Sequence, residues 1–154
     1  MNVESYFIKL FSAHTSHIGD DGAVVGKNVY SNDAFCEDVH FRRSWMTLRQ
    51  IAYKSMLINI SDAIAMNAKP QYALLSVAIP SHYSLHDLKE LHAGFQEAAH
   101  EYDLEIIGGD TVSNRKLDIS ITIISHSDRP LRRDGLKKGD LLAHTGLIGK
   151  SARD

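Results

Sequence analysis

Apolar residues recur along the chain at two spacings, and the switching between them sets out the elements. Val3, Tyr6, Phe7, Leu10 and Phe11 fall at three- and four-residue intervals, which predicts a short helix over residues 2–11. A polar stretch with Gly19-Asp20-Asp21-Gly22 then reads as a turn or loop. Residues 23–25 and 29–35 predict two strands around a turn at 26–28. Thr47 with Gln50 three residues on fits a capping box, so a helix should run from residue 48 to about Met66 and stop before Pro70. Its mostly apolar content predicts burial on most sides. Residues 72–79 form a near-continuous apolar run closed by Pro80, the pattern of a buried strand. Ser84 caps a second helix over 85 to about 102, with Leu88, Leu91, Phe95, Ala98, Ala99 and Tyr102 as its inner stripe. A strand over 104–107 is expected to end at Gly108-Gly109-Asp110. Residues 117–123 alternate with period two, a strand with one polar face. A turn over 136–140 should lead into a last strand over 141–145. The order is αββαβαβββ, a mixed α/β (α+β) layer architecture with helices packed on a mixed sheet.

Length and charge narrow the picture. A chain of 154 residues fits one domain with a real core. Seventeen basic against nineteen acidic residues, net −2, argue against a broad nucleic-acid surface. One Cys excludes an intrachain disulfide framework and a Cys-rich zinc site. No apolar run nears the ~18 residues of a membrane span, and MNVESYFIKLF lacks the basic start and apolar core of a signal peptide. A soluble, reduced, cytoplasmic protein is expected. Residues 146–150 read as a loop entering a helix at Ser151, with only three residues after it. So short a helix cannot hold itself. The expected division is a domain over 1–145 and, over 146–154, the start of a further one.

The nineteen acids divide into thirteen Asp and six Glu. Asp suits turns, caps and hard-cation sites. Four Asp residues stand where folding does not ask for them. Asp21 precedes an apolar strand, Asp33 interrupts one, Asp62 is the one acid of an apolar helix, and Asp110 follows two glycines. Asp20, Asp21 and Asp110 also suit turns, and Asp33 a solvated strand face. Asp62 is harder to place, because a buried carboxylate is costly unless paired or metal-bound. Asn59 lies one turn earlier on the same face. Together these positions meet the needs of metal–phosphate chemistry, in which Mg²⁺ bridges carboxylates to phosphates and glycines allow close backbone approach.

A resemblance appears at these residues. Ile18-Gly19-Asp20-Asp21-Gly22-Ala23, Ser31-Asn32-Asp33 and Glu37-Asp38-Val39-His40-Phe41 resemble the opening of the thiamine-monophosphate kinase family. The match continues through Ala52-Tyr53-Lys54-Ser55, Asn59-Ile60-Ser61-Asp62-Ala63-Ile64-Ala65-Met66 and Ala68-Lys69-Pro70. It extends to Gly108-Gly109-Asp110-Thr111, Arg129-Pro130-Leu131-Arg132-Arg133-Asp134-Gly135, Gly139-Asp140 and Thr145-Gly146. The family belongs to a wider superfamily with aminoimidazole ribonucleotide synthetase, selenophosphate synthetase and a hydrogenase maturation protein. The resemblance implies an N-terminal ATP- and Mg-binding domain whose sheet pairs into a barrel across a homodimer, with a C-terminal domain to follow. It implies ATP-dependent phosphorylation of thiamine monophosphate to thiamine diphosphate, with Mg²⁺ and ATP as cofactors. Asp21, Asp33, Asp62 and Asp110 fall on the family's Mg²⁺-binding acids, and Ser31 and Asn32 on positions that also reach metal. His40 falls on the substrate-contacting histidine, Gly109 and Asp110 on the nucleotide-binding turn, and Arg133 on an arginine that contacts ATP. The sequence departs from the family at Asn32, usually Thr, and at Asp38 and Asn67, both usually Gly.

No Ser, Cys or His nucleophile is needed, because thiamine monophosphate already carries an ionised phosphate. Two alternatives stay open: a non-catalytic nucleotide-binding and dimerisation module, and a sister ATP-dependent synthetase. His82/His86 and His14/His17 lack a third ligand for zinc. Gly146-Leu147-Ile148-Gly149-Lys150-Ser151 has the wrong spacing for a P-loop. The basic patch of Arg129, Arg132, Arg133, Lys137 and Lys138 reads as a solvated turn apart from Arg133.

Overall fold

The computed structural model describes residues 2–12, 14–144 and 146. Three helices and five strands follow in the order α1 (Val3–Ser12), β1 (Ala23–Val25), β2 (Asn28–Cys36), α2 (Leu48–Ala65), β3 (Lys69–Pro80), α3 (Leu85–Glu101), β4 (Glu105–Asn114) and β5 (Asp118–His126). The strands form one mixed sheet in the order β1-β2-β5-β3-β4. β3 and β4 are parallel, joined by the crossover helix α3, and every other pairing is antiparallel.

Period-two burial in β5 shows how the sheet is used. Leu117, Ile119, Ile121, Ile123 and Ser125 are buried, while the residues between them are half-buried. The buried set faces α2 and α3, which cover one side of the sheet. The core joins β2 (Val29, Phe35), β3 (Ala73, Val77) and β5 to the inner stripes of both helices. The other side, lined by Asn32, Ala34, Ser76, Ala78 and Ser120, carries no helix among the described residues.

Both helices begin at complete capping boxes. Thr47 Oγ1 accepts from the Gln50 N–H while Gln50 answers to Thr47, and Ser84 and Asp87 do the same for α3. The prediction of burial on most sides of α2 needs correction. Its buried residues Leu48, Ile51, Ala52, Ser55, Met56, Asn59, Ile60 and Ala63 form one stripe, and Ile64 is 54% exposed. Tertiary contact selected one face of a sequence that is apolar nearly all round, and α3 covers a second strip at Gly94. A Cβ on Gly94 would stand 2.1 Å from the Arg49 carbonyl oxygen, so the two helices touch backbone to side.

Two further corrections concern strands. β4 does not end at Gly108-Gly109-Asp110 but runs through it to Asn114. The parallel register with β3 carries the chain onward, with an irregularity at Ala73/Leu74 that absorbs the extra residue. Residues 141–144 form no strand, and Leu141 and Leu142 are 96% and 84% exposed. Thr145 and the expected loop and helix start over 147–154 lie outside the described residues. The two departures from family glycines keep glycine-like backbone, with φ of 65° at Asp38 and 54° at Asn67.

Candidate functional site

The loop before β1, the middle of β2 and the last turn of α2 bring three acids near one another on the helix-covered side. Asp21 comes from the loop, Asp33 from β2 and Asp62 from α2. Asp62 feels the other two directly: burial first, then Asp33 and Asp21, push its carboxyl up to about 6, against the pull of Arg133. Arg133 forms an ion pair with Asp21 through Nη2.

Strand alternation decides which neighbours join. Ser31 and Asp33 share the helix-covered face. Ser31 is buried and donates to the Asn59 carbonyl at 3.3 Å. Asn59 is fully buried; its Oδ1 accepts from the Asp33 N–H at 2.7 Å and its Nδ2 donates to the Ser55 carbonyl at 2.9 Å. Asn59 therefore ties α2 to β2 at the residue that presents the acid. Asn59→Ala is expected to cost about 1–3 kcal/mol by leaving the buried partners unsatisfied, read as a lower urea midpoint. An unchanged midpoint would show that the Asn59 bonds do not hold the two elements together.

Asn32 turns to the open face instead, donating to Ser120 Oγ at 3.1 Å and Thr122 Oγ1 at 3.0 Å. Asp110 also stands apart from the other acids. It lies on β4, with β5 and β3 between it and β2, roughly 14 Å away at the usual strand spacing. Its register partner is Ser76, on the open face, where it lines a cavity of about 210 Å³ with Ala34, Cys36 and Ser120. On the helix side, Gly109 and Asp110 border a second hollow of about 430 Å³ with Leu88, His92 and Phe95. Gly109 is required there: its φ is +144°, and a Cβ would meet the Leu75 carbonyl at 1.7 Å. His40 sits past the end of β2; its Nδ1 accepts from the Cys36 N–H at 3.0 Å and its ring stacks on Phe35.

Asp20, which sequence reasoning left as a turn residue, is a positioning residue. Its carboxylate accepts from Arg132 Nη1 at 3.0 Å and from the Arg133 N–H at 2.8 Å, and so holds Arg133 beside the acids. The paired acids Asp20-Asp21 and paired arginines Arg132-Arg133 were the signal, but 111 or more intervening residues hid it. All-oxygen donors under mutual repulsion suit a hard divalent cation such as Mg²⁺. Among the described residues no three His, Cys, Asp or Glu side chains gather closely enough to hold a metal ion between them.

An open mixed sheet with two helices on one side matches a known class. The family model "AIR synthase related protein, N-terminal domain" matches residues 19–126, and the chain belongs to that family. Within it, the similar relatives are thiamine-monophosphate kinases. The Bacillus subtilis enzyme is 36% identical over 143 residues, which is 88% of this chain and 44% of the relative. The solved structure of AaThiL complexed with AMPPCP and TMP matches with a TM-score of 0.82 at 28% identity, over 89% of this chain and 47% of that one. Thiamine monophosphate kinase from Aquifex aeolicus matches with a TM-score of 0.80 at 25% identity, over 90% and 48%. The chain thus spans less than half the length of these relatives.

Proposed function

We propose that this chain is the N-terminal part of an ATP-dependent thiamine-monophosphate kinase. The observation that carries the reading is the meeting of Asp21, Asp33 and Asp62 beside Arg133, in a chain whose relatives of similar sequence bear that name. A phosphate oxygen of thiamine monophosphate attacks the γ-phosphorus of ATP in line; the new P–O bond forms as the bond to ADP breaks. The attacking oxygen is already ionised, so no general base has to remove a proton.

The task left to the protein is to bring two polyanions together. Asp21, Asp33 and Asp62 would hold Mg²⁺, with Ser31 beside them; the resemblance adds Asp110 and Asn32, of which Asp110 lies roughly 14 Å from β2 and Asn32 faces the open side. Magnesium, when bound, supplies charge neutralisation and orients the phosphates. Arg133 adds a second positive charge at the phosphates, Gly109 and Asp110 take part in nucleotide binding, and His40 contacts thiamine monophosphate. Residues 1–145 form the N-terminal domain, which pairs into a cytoplasmic homodimer through the uncovered sheet face, and 146–154 open the next domain. No described helix is long and apolar enough to cross a membrane.

A second reading, a nucleotide-binding and dimerisation module without turnover, is favoured by the chain's spanning 44–48% of its relatives. An assay of ADP release on thiamine monophosphate, run on the native gene product and on residues 1–154, separates the two. Turnover by the native product and little or none by 1–154 is expected. No turnover by the native product overturns the kinase reading; robust turnover by 1–154 overturns the need for a further domain.

A further inference from the structure

One acid of the cluster, Asp21, is paired by the chain itself, through Arg133. The segment carrying Arg133 is anchored through its backbone and its neighbours rather than through its own side chain. Asn67 Nδ2 donates to the Arg129 carbonyl at 3.0 Å, and the Leu131 N–H donates to the Met66 carbonyl at 2.9 Å. The Arg133 N–H reaches Asp20 at 2.8 Å, and the Asp20 side chain, 13% exposed, is committed to this anchor. The Arg133 side chain is different: it is 67% exposed and touches the pocket through its guanidinium on Asp21. Its backbone is fixed while its long side chain remains free to leave.

Asp21 is also one of the acids proposed to take the metal. A carboxylate oxygen that holds a guanidinium is not free for a hard cation, and two positive charges at one carboxylate repel. Phosphate offers the planar guanidinium two oxygens for a bidentate pair, a partner at least as good as Asp21.

We infer that Arg133 is the resident counter-ion of this pocket, displaced from Asp21 when a divalent cation enters and taken over by the nucleotide's phosphates. Metal alone then binds weakly, because it must evict Arg133. Metal and polyphosphate strengthen each other, because the phosphates give Arg133 somewhere to go. The inference rests on the metal–nucleotide reading above and deepens it.

Manganese titration, followed by the electron paramagnetic resonance signal of the free ion, tests it on the chain as it stands. Arg133→Gln is expected to bind Mn²⁺ alone about fivefold more tightly than the unmodified chain, the scale of one exposed ion pair. Arg133→Lys, which keeps the charge, should stay near the unmodified value. With Mg²⁺ present, Arg133→Gln should bind AMPPCP about tenfold more weakly. Equal or weaker Mn²⁺ binding by Arg133→Gln overturns the counter-ion role while leaving the metal site standing. Mn²⁺ binding by the unmodified chain that Asp62→Asn does not weaken, or no Mn²⁺ binding by the unmodified chain and Arg133→Gln alike, overturns the metal reading and this inference with it. Thermal melts of each variant report folding, and the Asp20 anchor to the Arg133 N–H survives every substitution at Arg133.

Discussion

Asp62→Asn is expected to lower magnesium-dependent phosphorylation of thiamine monophosphate by the native gene product at least about 100-fold, the usual cost of removing one preorganised electrostatic group. The same substitution should stabilise the metal-free chain. In the folded protein Asp62 is crowded by burial, Asp33 and Asp21, and its carboxyl titrates at about 6 rather than at 3.8. A raised acid favours the fold in its protonated form. That contribution is fully present below about pH 3.8 and lost as pH rises through about 6. At pH 7 the charged Asp62 therefore opposes folding. Solvent screening of this half-exposed group reduces the effect to about 1 kcal/mol. Asp62→Asn should raise the melting temperature by about 2–4 °C at pH 7 without metal, and by nearly nothing at pH 4. Magnesium should raise the melting temperature of the unmodified chain and leave that of the variant unmoved. A variant that keeps full activity and the magnesium response would remove Asp62 from the site.

Gly94→Ala carries the largest expected effect on the fold. Alanine improves helix propensity by about 1 kcal/mol over glycine. Against that, the new methyl would lie 2.1 Å from the Arg49 carbonyl oxygen and 2.8 Å from the Ala52 Cβ, where both obstacles belong to the α2 backbone or its first carbon. Neither moves without displacing α2, and α2 carries both Asn59 and Asp62. A net loss of about 2–3 kcal/mol is expected, seen as a melting temperature lower by roughly 5–10 °C. A melt unchanged or raised would show that the helices stand further apart than described. Because α2 would shift, a weaker magnesium response should accompany the loss.

The two substitutions test different things, since one changes charge at the pocket and the other the distance between the helices that build it. Their sites were not equally visible along the chain. Asp62 stood out because an acid in an apolar helix is costly without a partner, an argument that needs no coordinates. Gly94 gave no such warning, since a glycine inside a helical pattern has many explanations. Only the approach of Arg49 turns it into a requirement.

Local chemistry explains what was legible. The Thr47 capping box, the Ser84 cap and the core strands sit where residue type and period placed them, because caps and alternation are decided within a few residues. Strand ends were less readable. β4 runs on through Gly108 and Gly109 because β3 supplies a parallel ladder, which overrides the breaking tendency of two glycines. The expected strand over 141–145 does not form over 141–144, which stay exposed and pair with no described strand although β1 and β4 leave both sheet edges open.

By itself the sequence determined the helices, the core strands, the acids with no folding purpose and the family they belong to. These depend on spacing, capping and the cost of burying charge. The tertiary structure decided which of those acids meet. Strand alternation sends Asp33 toward Asp62 and Asn32 away from it. Sheet order sets Asp110 three strands from β2, beyond β5 and β3. Asp20 becomes the anchor of Arg133 only because residues 112 and 113 positions apart are folded into contact. Composition counts acids, but contact between distant segments, set by register and packing, brings three of them near one another.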